Sequence, residues 1–186
     1  EIYGVKGMKW GVRRYQNKNG TWTKAGKQRR MYGRRAQKHH KTNAKVNEIV
    51  NTMTKSEKEK LLGESVTKDT QYIPMQESLQ YGSNIAHRVL KQIGNKPIAF
   101  FDIWDDTNEM QVAIGVRNEQ QYRGKGYGKE VAKKGLNWYE KNKNKFNKPL
   151  VWGVKENNKG SIKIAKDLGF EYQKGSKRNG WINYDL

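Results

Sequence analysis

Residues 122–128 read Tyr-Arg-Gly-Lys-Gly-Tyr-Gly, three glycines and two cations directly ahead of an amphipathic pattern. Glycines at 124, 126 and 128 let the backbone curl with little steric penalty and bring consecutive N–H groups to the start of a helix, whose dipole also favours negative charge. The dipole alone contributes roughly 0.3–1 kcal/mol. Directed N–H bonds and the charges of Arg123 and Lys125 must therefore supply most of the affinity for a phosphate. Two common phosphate loops are excluded. A dinucleotide-binding fingerprint opens the first β-α unit of a parallel sheet and needs an acidic residue about 20 positions on, whereas this loop comes late and follows a predicted hairpin. A P-loop needs GxxxxGK[ST], which the chain lacks.

The elements around the loop follow from periodicity. Upstream, residues 97–104 are continuously apolar except for Asp102, the pattern of a strand covered on both faces, and residues 105–109 supply a turn. Residues 110–117 then alternate, with Met110, Val112, Ile114 and Val116 on one face and Gln111, Ala113, Gly115 and Arg117 on the other. Downstream, Val131, Ala132, Gly135, Leu136 and Tyr139 line one helical face. Residues 149–154 read as a buried strand, 158–168 as a helix stopped by Gly169, and the segments FEY and WINYDL as a closing strand pair.

Nearer the N-terminus, Val46, Ile49, Val50 and Met53 recur at helical spacing. A second helical pattern, KSEKEKLLG, has Ser56 as its cap and Gly63 as its stop, giving two helices or one broken helix. A short strand is expected around Gln71–Met75, held to a sheet edge by Pro74. Ser83 caps a predicted third helix over 84–94, where Ile85, Val89, Leu90 and Ile93 form a stripe ended by Gly94.

The 186 residues carry a net charge of +20, unevenly spread. Residues 1–43 hold 13 Lys and Arg against Glu1 alone, which marks a boundary near position 43. In this arm Tyr3, Trp10, Tyr15, Trp22 and Tyr32 stand among cations and glycines without a sustained apolar face, so it cannot build its own core. Its rings and charges suit either stacking on nucleic-acid bases or docking on a neighbouring protein, and the sequence leaves both open. The adjacent His39 and His40 do not converge on one metal, and no metal site is expected. Cysteine is absent, which rules out disulfides, thiolate zinc sites and a cysteine nucleophile. No apolar run approaches the roughly 20 residues of a membrane span, so the chain reads as soluble, with the cytoplasm as the expected compartment.

The segment RGKGYG resembles the acetyl-coenzyme A signature [RQ]xxGx[GA] of the GNAT superfamily of N-acetyltransferases, matched by Arg123, Gly126 and Gly128. A second element, NKGSIKIAKDLGFEY, is similar to the family's asparagine-led helix that ends in Gly-Phe, here Asn158 through Gly169 and Phe170. The resemblance covers about residues 44–186. It implies a mixed α/β fold whose central sheet is splayed between the strands VAIGV and LVWGV and flanked by helices. Pantetheine would lie in the gap against the backbone of Gly115 and Val116, with the pyrophosphate held by Arg123, Gly124, Lys125, Gly126, Tyr127 and Gly128, and with Asn158 facing the pantetheine or acetyl end. Ala113 and Gly115 suit either the space a thin ligand needs or tight packing.

The implied chemistry is direct attack of an amine on the thioester, with no covalent enzyme intermediate. Glu109, Asp102 and Asp105 are the candidate bases, acting through water. In many relatives a tyrosine seven residues after the asparagine protonates the leaving thiolate. That position here is Ala165, which leaves nearby Tyr172 or water as the proton donor. The segment RNEQQ ahead of Tyr122 is also longer than the common family version, so a catalytic glutamate does not transfer by position.

The arm is similar to a segment found in proteins of bacteriophages that infect Gram-positive hosts, often beside structural domains. The expected protein is thus a phage-associated acetyltransferase acting on a primary amine, with a protein lysine or N-terminus preferred, in the bacterial host cytoplasm or associated with the virion. The competing expectation is a catalytically weak GNAT scaffold whose arm, residues 1–43, binds nucleic acid or a virion protein.

Overall fold

The computed structural model describes residues 17, 19, 21–23, 42–62, 66, 85–106 and 108–186. The chain divides into two units, Glu1–Lys41 and Thr42–Leu186. In the first, the described residues form a local turn in which Asn19 Oδ1 accepts from the N–H and hydroxyl of Thr21. The expected strand at 71–75, the caps and stops Ser83 and Gly63, the paired histidines and most of the arm aromatics lie outside the described residues.

The second unit is a mixed sheet with helices on both faces. Helix α1 spans residues 42–50 and α2 Lys55–Leu62. Strands β1 (Ile85–Ile93), β2 (Lys96–Asp105) and β3 (Met110–Val116) follow. After them come α3 (Tyr127–Asn142), β4 (Leu150–Lys155), α4 (Lys159–Asp167), β5 (Glu171–Tyr172) and β6 (Trp181–Asp185). The sheet order is β1-β2-β3-β4-β6-β5, and β3 with β4 is its one parallel pair among the described residues.

Two expectations are corrected. The stripe at 84–94 forms strand β1, not a third helix. Ile93 pairs with Lys96 across the two residues Gly94 and Asn95, and Gly94 takes φ 57°. That Gly-Asn pair between apolar runs is a hairpin signal. The strand lacks clean alternation because both its faces are covered and its ladder is irregular at Ile85/His87 and at Lys91/Gln92. Val89 packs with the α3-side core and Leu90 with the α1-side core. The cap of α2 is Thr54 rather than Ser56: its hydroxyl accepts from the Glu57 N–H, and the Glu57 carboxylate accepts from the Thr54 N–H at 2.9 Å, a reciprocal capping box.

The other elements form as their patterns require. Residues 97–103 of β2 are buried throughout, its odd positions facing α3 and its even positions facing α1. Val131, Ala132, Gly135, Leu136 and Tyr139 make the buried face of α3. Gly135 allows a close approach there, since a Cβ at this position would lie 2.3 Å from the Phe101 ring. The α1 face is fastened to the sheet by polar contacts. Arg88 grips both oxygens of Asp102 at 2.8 Å and donates to Thr42 and Asn43 at the start of α1. Buried Arg117 donates to the Pro97 carbonyl and pairs with Glu48 and Glu119. No helix among the described residues is long and apolar enough to cross a membrane.

Candidate functional site

Strands β3 and β4 pair only at Met110↔Leu150 and Gln111↔Val151, at their first residues. Beyond that point they diverge, and the space between them is a cleft of about 630 Å³. Its walls come from β3 residues Val112–Val116, β4 residues Trp152–Val154 and the first turn of α4, with α2 along one side and Arg123 at its border. Past Gln111 the edge of β3 facing the gap has no strand partner among the described residues, so its peptide groups are open to the amides of an extended ligand.

The glycine loop starts from Arg123 on this border and ends at Gly128, which lies against the wall residues Val116 and Ile164. Gly124 and Gly126 have φ 69° and 79°, the left-handed region, and a Cβ at either would meet nothing within 4 Å. Backbone conformation is therefore what demands glycine at both. Gly126 is the N-cap of α3, and the first intrahelical bond runs from Glu130 N–H to its carbonyl at 2.9 Å. The N–H groups of Tyr127, Gly128 and Lys129 precede that ladder. Gly128 serves a different purpose. A Cβ there would lie 3.2 Å from both Ile164 Cδ1 and Val116 Cγ2, so its absence lets α3 start directly over β3 and α4.

Charges around the loop are arranged around α2 and β1. Arg123 donates to Glu57 of α2 and to Asn118, while Lys125 is exposed. Lys91 bonds both oxygens of Glu130 and sits 5.3 Å from the Tyr127 ring centroid. Hydrogen bonds from Lys91 and then Lys134 hold the Glu130 carboxyl below its ordinary range.

The remaining sequence candidates fall in different places. Asn158 borders the cleft as the cap of α4, its Oδ1 accepting from Ser161 N–H at 3.3 Å. Ser161, also in the wall, accepts from the Trp152 indole at 3.0 Å. Gly115 and Val116 line the cleft, but the space above Gly115 is filled: a Cβ would lie 2.3 Å from Phe100 Cε1. Packing, then, dictates that glycine. Ala113 and Gly115 share the α1-facing side of β3, with Ala113 in the α1-side core.

Among the carboxylates, Asp102 is fully buried behind β3 and committed to Arg88, and Asp105 pairs with Lys148. Glu109 accepts from the side-chain amide of Gln111, which does line the cleft. Tyr172 lies on the two-residue edge strand β5, 45% exposed with its ring on Tyr184, and is absent from the cleft wall. Ala165 is fully buried in the α3-side core, and among the described residues the cleft wall holds no tyrosine, histidine or cysteine.

Several wall residues escaped the sequence reading: Glu57, Lys60, Gln111, Trp181 and Asn183. Glu57 carried a local signal in the Thr54-x-x-Glu57 capping box. Gln111 and Asn183 reach the cleft wall only through nonlocal strand pairing, for which no local pattern exists. No cluster of metal-ligating side chains occurs among the described residues.

A family model described as "Acetyltransferase (GNAT) domain" matches residues 9–171. The structure is similar to the GNAT domain of PAT from S. lividans, at TM-score 0.57 and 14% identity over 78% of this chain and 86% of that one. At that identity the likeness shows the fold. An acetyltransferase from Agrobacterium tumefaciens matches at TM-score 0.45 and 19% identity, over 53% of this chain and 59% of that one. A Salmonella typhimurium protein solved with its cofactor acetyl-CoA matches at TM-score 0.38 and 17% identity, over 53% and 60%. No curated protein matches significantly by sequence.

Proposed function

The chain belongs to the GNAT acetyltransferase family, whose chemistry is transfer of acetyl from acetyl-coenzyme A, and from that premise we propose that it acetylates a primary amine by direct attack, with a protein lysine or N-terminus as the preferred acceptor. The observation that carries the proposal is the conjunction of the two features described above: a parallel strand pair that opens after two residues, and a glycine-built helix N-terminus at the border of the opening. The residues fit the cosubstrate. The orphan N–H groups of Tyr127, Gly128 and Lys129 would hold pyrophosphate, and the unpaired edge of β3 at Gly115 and Val116 would bond the pantetheine amides. Asn158 and Ser161 would line the far wall. When bound, acetyl-coenzyme A supplies an activated carbonyl with a good leaving group.

The amine nitrogen forms the new C–N bond as the C–S bond breaks; the amine loses a proton and the thiolate gains one. Water carries both protons in this proposal, because among the described residues the cleft wall offers no tyrosine and Ala165 stands where relatives place one. Of the candidate carboxylates, Glu109 keeps a place next to the cleft through Gln111, whereas Asp102 and Tyr172 are held elsewhere.

Ala165 also favours a second reading, a catalytically weak scaffold whose basic segment 1–43 engages nucleic acid or a phage structural protein. Isothermal titration with acetyl-coenzyme A, followed by thiol release against a panel of amines and a lysine peptide, separates the two. Binding with amine-dependent thiol release supports the transferase. Binding without turnover on any acceptor supports the scaffold, and no binding overturns both uses of the cleft.

A further inference from the structure

Arg123, at the border of the cleft, is held from two sides. Its Nη2 donates to Glu57 Oε1 of α2 and to Asn118 Oδ1. Each anchor is itself fixed to the turn between α1 and α2. The other oxygen of Glu57 accepts from the Thr54 N–H at 2.9 Å and from the Thr54 hydroxyl at 3.1 Å, inside the capping box of α2. The Asn118 N–H donates to Thr52 Oγ1 at 2.8 Å, and that hydroxyl donates to the Ile49 carbonyl of α1 at 2.7 Å. The guanidinium therefore commits only Nη2 among the described residues and leaves the N–H donors of Nε and Nη1 unspent.

The pair adds little to stability, because its side chains are 44% and 28% exposed. What it does fix is direction: a long side chain that would otherwise sample many rotamers is tied at its tip. Only Gly124, Lys125 and Gly126 separate Arg123 from the orphan N–H groups at the start of α3. We propose that Glu57 is a positioning residue for phosphate recognition, holding Arg123 by one nitrogen so that its remaining donors meet the phosphate bound at those N–H groups. The turn between α1 and α2 thereby becomes part of the phosphate site, although it makes no phosphate contact itself. The inference rests on the transferase reading, which places the coenzyme in the cleft. It separates the two properties of Glu57. A glutamine keeps both the cap and an oxygen for Arg123 while removing a negative charge from beside the phosphate, whereas an alanine releases the guanidinium.

Full-chain wild type, Glu57→Ala, Glu57→Gln, Arg123→Gln and the double variant Glu57→Ala/Arg123→Gln are titrated calorimetrically with coenzyme A, with inorganic pyrophosphate and with S-acetylpantetheine, which lacks the phosphates. Glu57→Ala should bind coenzyme A about tenfold more weakly than wild type, the worth of one charged hydrogen bond. Glu57→Gln should stay within about threefold of wild type. In the Arg123→Gln background Glu57→Ala should have no further effect, since the role runs through Arg123. Pyrophosphate should follow the same order, and S-acetylpantetheine should bind all the variants alike. The Arg123 Nε–H signal in NMR spectra, assigned by its loss in Arg123→Gln, should shift on addition of coenzyme A to wild type and shift less in Glu57→Ala. Tighter coenzyme binding in Glu57→Ala would make Glu57 a competitor for Arg123 and overturn the proposal. An equal loss in the Arg123→Gln background, or for S-acetylpantetheine, would reduce Glu57 to a packing role and overturn it too. Asn118→Ala, which removes the other anchor, gives the same comparison if Glu57→Ala does not fold. Coenzyme A that binds with this pattern but supports no amine-dependent thiol release refutes the transferase reading and leaves the positioning role standing. Turnover with phosphate affinity unaltered in Glu57→Ala refutes the positioning role alone.

Discussion

Replacing Gly126 with glutamate tests the anion cradle through charge rather than bulk. The wild-type residue has φ 79° with nothing within 4 Å of a Cβ, so the start of the new side chain meets no neighbour. Its cost to folding is the left-handed conformation of an L-residue, about 1–2 kcal/mol. Its cost to binding is electrostatic. A carboxylate about 5 Å from a phosphate charge, at an effective dielectric of about 20, is repelled by about 3 kcal/mol, which is about two orders of magnitude in affinity. Gly126→Ala carries the same backbone strain without the charge and provides the control. Isothermal titration with acetyl-coenzyme A should show Gly126→Glu binding at least about a hundredfold more weakly than wild type and Gly126→Ala much closer to it. The gap between the variants should narrow as salt is raised. Equal affinities for wild type and Gly126→Glu would refute a pyrophosphate site at the start of α3.

Asp102→Asn strands the buried guanidinium of Arg88 and should lower the unfolding free energy by about 3–5 kcal/mol in denaturant titration. A folded variant of unchanged stability and lost turnover would instead restore Asp102 as a base. Gly115→Ala forces a methyl group to 2.3 Å from the Phe100 ring and should destabilise by about 1–3 kcal/mol, measured in the same way. The Glu130 carboxyl is held below its ordinary value of 4.5 by Lys91 and Lys134, so its contribution to stability is present above that pH and fades as pH falls through the depressed folded value. Glu130→Gln should therefore melt below wild type near pH ~7, with the gap shrinking as the pH falls below 4.5. A melting difference independent of pH would contradict the ion pair.

What the sequence made legible is local. The glycine loop, the buried face of α3, the cap at Asn158 and the alternation of β3 each sit within one element and repeat at its own period. What it hid is nonlocal. Residues 85–93 place apolar groups at positions compatible with a helix, and only the coverage of both faces by α1 and α3 makes those positions suit a strand. The Gly94-Asn95 turn was the competing local signal. Asp102 looked available because its sequence neighbours are apolar, but its partner Arg88 lies across the β1-β2 hairpin. Tyr172 is close to the glycine-stopped end of α4 in sequence, yet β5 carries it to the far edge of the sheet. Gly115 read equally as ligand space or packing, and the Phe100 ring decides for packing. Gln111, Gly153 and Asn183 of the cleft wall come from three strands in three parts of the chain, and no single segment contains them.

The central claim is that the opening between β3 and β4 transfers acetyl to an amine. The most direct test measures thiol release and N-acetyl product together, with n-butylamine and a lysine peptide as acceptors and with Gly126→Glu in parallel. The expected result is equal rates of the two products, dependent on amine and lost in the variant at matched cofactor concentration. Thiol release without acetylated amine, or acetylation that persists unchanged in Gly126→Glu, would contradict it.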